Sequence, residues 1–94
     1  MSQPANLPEV LTLTEVLSRS DATTFARGKA YFHGGKVSRL EETDGGVRAS
    51  VRGTQMYNVE ITTRYGSLAC YCDCPVSKSS AFCKHGVAVA LSWL

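Results

Sequence analysis

Three cysteines and a histidine, in the order Cys72-Asp73-Cys74-Pro75 and then Phe82-Cys83-Lys84-His85, constrain this chain more than any other feature. Side chains two apart on an extended strand share a face, so Cys72 and Cys74 present their sulfurs side by side. Pro75 then ends the strand. Cys83 and His85 follow eight intervening residues later, where a final helix is predicted to begin. Three thiolates and an imidazole complete the tetrahedral shell of zinc and leave no open position, which is a structural and not a catalytic arrangement. The positive helix end beside a cluster of negative charge is a favourable pairing, and Lys84 offsets part of that charge.

Cys70 makes a fifth candidate for four places. Along a strand, Cys70 and Cys74 stand about 13 Å apart at roughly 3.3 Å per residue. Two sulfurs bound to one zinc at about 2.3 Å are separated by no more than roughly 4.6 Å. The strand pair is therefore Cys70 with Cys72 or Cys72 with Cys74, and Cys72 belongs to either.

With 94 residues, 44% of them hydrophobic, the chain is predicted to form one domain over residues 9–94 behind a flexible leader at 1–8. A chain this short buries only about 60–65% of its unfolded surface, so a metal cross-link carries weight. There is neither a basic, apolar leader nor a membrane-length apolar run, and a cytoplasmic location with reduced thiols is expected. The net charge is +2, divided as −1 over residues 1–44 and +3 over residues 45–94 before any thiolate is counted. That is a mild basic bias and not a polycation.

The expected fold is α+β: an N-terminal helical segment, a small antiparallel sheet, the zinc cluster and a C-terminal helix. Residues 9–18 read as a short helix. Ser20 or Asp21 caps a second helix that runs to His33 and ends at Gly34-Gly35, with Phe25, Gly28, Lys29 and Phe32 on one face and Tyr31 beside them. His33 decorates that helix's C-terminus, where a cation suits the dipole. Alternation then predicts strands over 37–42, around Val47, Ala49 and Val51, around Tyr57, Val59 and Ile61, and over 68–74. Their turns are too short for crossovers, so they form a meander. Val87, Ala90, Leu91 and Leu94 keep the spacing of a buried stripe on the last helix, with Ser79 or Ser80 as its cap. Asp73 reads as a solvent-facing spacer, and Phe82 and Trp93 as packing residues.

Cys72-x-Cys74-Pro75 followed by Phe82-Cys83-Lys84-His85 and an Ala/Val-rich helix resembles the SWIM zinc finger, over about residues 70–94. Phe25 to Tyr31, Val51-Arg52-Gly53 and Tyr57-Asn58-Val59 also resemble what precedes the finger in bacterial members, which are linked to helicase-like ATPases. The resemblance implies that zinc is held by Cys72, Cys74, Cys83 and His85, leaving Cys70 as a small buried hydrophobe. It also implies a non-catalytic module that binds DNA or a protein partner, with neither a membrane nor a small-molecule substrate expected. For DNA, the candidate contacts are Arg48, Arg52, Arg64, Lys78 and Lys84. The alternative is a scaffolding domain that binds protein alone. A thiol switch between Cys70 and Cys72 has only spacing behind it.

Overall fold

A computed structural model of the chain describes residues 11–43, 45–64, 67–74 and 82–94. Helix α1 (Leu13–Ser18) is capped by Thr12, whose hydroxyl accepts from the Glu15 N–H at 3.2 Å. The first residues of the predicted 9–18 helix lie outside the described residues, as do the leader at 1–8 and the proposed Ser79 and Ser80 caps.

Helix α2 (Ala22–His33) starts at Asp21, whose carboxylate accepts from the Thr24 N–H at 2.7 Å. That bond holds the Asp21 carboxyl below the usual carboxylate range. The helix ends in a Schellman motif. Lys36 N–H donates to the Tyr31 carbonyl and Gly35 N–H to the Phe32 carbonyl, with Gly35 at φ +69°. The predicted inner face needs correcting. Phe25, Gly28 and Tyr31 turn inward, whereas Lys29 is exposed and Phe32 is 37% exposed. The packing partner is a single helix, so a narrow i, i+3 strip is covered.

Four strands, β1 (Val37–Thr43), β2 (Gly46–Arg52), β3 (Met56–Arg64) and β4 (Ser67–Cys72), form an antiparallel meander in the order β1-β2-β3-β4. Val47, Ala49, Val51, Tyr57, Val59, Ile61, Leu68 and Cys70 are buried, as alternation requires. Ser50 departs from that alternation: it sits on the outer face yet is only 9% exposed. β1 carries a bulge between Ser38 and Glu41, where Arg39 takes a left-handed φ of 56°.

Helix α3 (Lys84–Trp93) lies between the sheet and α2. Every residue from His85 to Ala90 is buried, so the predicted stripe is replaced by a helix covered all round, while Leu94 at its end is 54% exposed. Small residues make that position possible. A Cβ on Gly28 would overlap the Val87 side chain, and one on Gly86 would overlap the Cys70 sulfur. Trp93 Nε1 donates to Glu42 at 3.1 Å, which fastens the far end of α3 to β1.

Candidate metal centre

Four donor side chains converge where β4 ends and α3 begins. Leu68 and Cys70 point inward from β4, and Cys72 takes the next inward position at the strand's end, half-buried. The strand does not run through Cys74 as predicted. Past Cys72 the Asp73 carboxylate accepts from the Asn58 backbone N–H at 2.9 Å and from its side-chain amide at 3.2 Å. Asp73 is thus exposed but not a mere spacer, since its side chain terminates the ladder. The chain bends at Cys74, and its sulfur reaches the others through that bend and not through the pleat.

On the other side, Cys83 is the N-cap of α3. Its sulfur accepts the Gly86 N–H at 3.4 Å, in the role that Ser79 or Ser80 was expected to fill. Cysteine is outside the usual N-cap preferences. A sulfur bearing negative charge nonetheless suits a helix N-terminus. His85 follows one turn-step later and is 2% exposed. Its Nδ1 lies 3.7 Å from Cys72 Sγ and 4.0 Å from Cys83 Sγ. Donor atoms of Cys72, Cys74, Cys83 and His85 all lie within 4.8 Å of one another. For a tetrahedral zinc with bonds of about 2.3 Å to sulfur and about 2.0–2.1 Å to nitrogen, sulfur and nitrogen stand about 3.6 Å apart. The donor set therefore fits zinc in both chemistry and spacing.

Cys70 is outside this group. Its sulfur is buried against Gly86, and burial pushes the thiol up, helped by the nearby Cys83 and Cys74. Within the group, a hydrogen bond from the Cys72 thiol brings Cys83 down to about 4, helped by His85 and the Gly86 N–H. The same bond, together with burial, pushes Cys72 up.

The candidate nucleic-acid contacts are not gathered on one face. Arg48 and Arg52 point outward from β2, and Arg48 Nε bonds Glu41 Oε1 at 2.7 Å. Arg48 also lines an open groove of about 610 Å³ on the outer face of the sheet, with Arg39, Glu41, Ser50, Asn58, Glu60, Tyr71 and Asp73. Lys84 sits in the helical layer, its Nζ 5.7 Å from the Tyr31 ring centroid. Lys78 and the side chain of Arg64 lie outside the described residues.

Two residues at the metal centre escaped the sequence reading. Tyr57 stacks on the His85 ring at 4.4 Å and 28°, and Tyr31 approaches it at 5.3 Å and 35°. Tyr57 is legible only as an inward strand position and Tyr31 only as a neighbour of the packing face of α2. Their meeting on His85 depends on how α2, β3 and α3 pack.

Residues 55–94 match the family model described as SWIM zinc finger. The match begins ahead of β3 and so takes in more of the sheet than the predicted 70–94. Neither a curated protein nor a solved structure matches the chain. Among the described residues, no helix is long and apolar enough to cross a membrane.

Proposed function

We propose, from the match of residues 55–94 to the SWIM zinc finger, that the chain is a non-catalytic module that binds DNA or a protein partner. In this reading one zinc is held by Cys72, Cys74, Cys83 and His85. The observation that carries it is the closed, largely buried set of four donors drawn from a strand end and a helix start. Such a set fills the metal's coordination shell, so the ion serves the fold, and binding falls to the protein surface. The family's zinc binding supports the choice of metal.

On DNA, Arg48 and Arg52 act from the outer sheet face, with Arg64, Lys78 and Lys84 as further candidates. Glu41 already occupies Arg48, and Lys84 is in the other layer. About two or three phosphates are therefore neutralised at once. The slope of log K against log salt is then about −2 to −3, and affinity at physiological salt is micromolar or weaker. Fluorescence anisotropy on a short duplex across a salt series measures this, and Arg48→Ala and Arg52→Ala are expected to flatten the slope. Absence of binding even at low salt, or binding indifferent to both arginines, shifts the assignment to a protein partner. One observation favours that second reading. Glu41, Glu60 and Asp73 are interleaved with Arg39 and Arg48 around the outer groove, a pattern that suits a partner of mixed charge better than a polyanion.

A further inference from the structure

His85 is held in an unusual way for a zinc-ligating imidazole. Such a ring ordinarily donates its second N–H to a carboxylate, a carbonyl or water, and that bond fixes its orientation. Here Nδ1 faces the sulfurs, while Nε2 is buried and has no hydrogen-bond partner among the described residues. Aromatic faces occupy the surroundings instead. Tyr57 lies nearly parallel to the imidazole, with ring centroids 4.4 Å apart. Tyr57 is itself buried, and its hydroxyl is tethered to Thr54 Oγ1 at 2.9 Å. Tyr31 covers the ring from α2, with Lys84 Nζ over its own face. Gly53 leaves the necessary room. A Cβ there would come within 2.8 Å of the Tyr57 ring and 3.3 Å of His85 Nε2.

We propose that Tyr57 and Tyr31 are positioning residues for the metal site: their rings clamp the His85 imidazole and so aim Nδ1 at the zinc. The inference rests on the assignment of His85 as a ligand. Stacking fixes the plane of the ring, as a hydrogen bond to Nε2 does elsewhere, and burial holds the Tyr57 ring in place in turn. Tyr31 belongs to α2, upstream of the matched finger at 55–94, so a helix outside the finger supplies one wall of its metal centre.

Cobalt titration of the full chain tests this, because the visible band of tetrahedral cobalt reports the ligand set directly. Wild type is expected to give a band for three sulfurs and one nitrogen, and Tyr57→Phe to keep both band and affinity. Tyr57→Leu and Tyr31→Leu are expected to lower cobalt affinity about 10–100-fold, the usual effect of losing an outer-shell partner, and to alter the band. Tyr31 is only half-buried, so Tyr31→Leu preserves the test where Tyr57→Leu fails to fold. Far-UV circular dichroism of the metal-saturated variants is expected to match wild type. Leucine variants with wild-type affinity and band overturn the clamp while leaving the ligand assignment intact. So does a Tyr57→Phe loss as large as that of Tyr57→Leu. A wild-type chain without the three-sulfur band overturns the ligand assignment and the clamp together.

Discussion

Removing zinc with a chelator is expected to unfold the β4–α3 region, not merely to vacate a site. In the proposed site the metal would link Cys72 and Cys74 at the end of β4 to Cys83 and His85 at the start of α3. Helix α3 is the packing partner of both the sheet and α2, with six consecutive residues, His85 to Ala90, buried. Structural zinc in finger peptides contributes about 10–16 kcal/mol, against about 5–15 kcal/mol for the whole stability of an ordinary domain. Loss of the ion therefore removes more than a small core is able to replace. Amide chemical-shift dispersion is expected to collapse for α3 and β4 on chelation and to return with one equivalent of zinc. Dispersion that survives chelation would mean that packing alone holds α3 in place.

The second large effect separates the cysteines. Cys83→Ser is expected to abolish stoichiometric zinc although serine is a good N-cap, so the helix keeps its cap while the metal loses a ligand. Cys72→Ser, Cys74→Ser and His85→Ala are expected to behave likewise. Cys70→Ser is expected to retain one zinc, because its sulfur packs against Gly86 and lies outside the donor group. It still places a hydroxyl in a buried apolar slot, at a cost of about 1–3 kcal/mol. Native mass spectrometry counts the metal, and urea unfolding of the zinc-loaded protein measures the stability loss. Zinc lost from Cys70→Ser and kept by Cys74→Ser would reverse the choice between the two strand pairs.

The strands were legible because Val47-Ala49-Val51 and Tyr57-Val59-Ile61 alternate without interruption between short turns. Asp21 and Gly34-Gly35 likewise carry local chemistry that bounds α2 without help from the rest of the chain. Errors arose where tertiary packing decides. The inward strip of α2 is narrower than the sequence pattern predicts, because its width depends on covering one neighbouring helix. The spacing of Val87, Ala90, Leu91 and Leu94 predicts a single buried stripe on α3, whereas Gly86, Ala88 and Ala90 leave it no polar face over its first turns. The bend at Cys74 follows the hand-over of the β3–β4 ladder to the Asp73 carboxylate, a side-chain event that strand periodicity does not register. The Tyr57–His85 stack joins residues twenty-eight positions apart, and no spacing rule connects them.

The central claim, that one zinc is held by three sulfurs and one imidazole nitrogen, is tested most directly by X-ray absorption at the zinc edge of the purified chain. Three sulfur scatterers at about 2.3 Å and one nitrogen at about 2.0–2.1 Å are expected, with the outer-shell signature of an imidazole. Four sulfurs would place Cys70 in the site and displace His85, and a shell of two sulfurs completed by light atoms would mean an open site. Either result would overturn the set of three sulfurs and one imidazole.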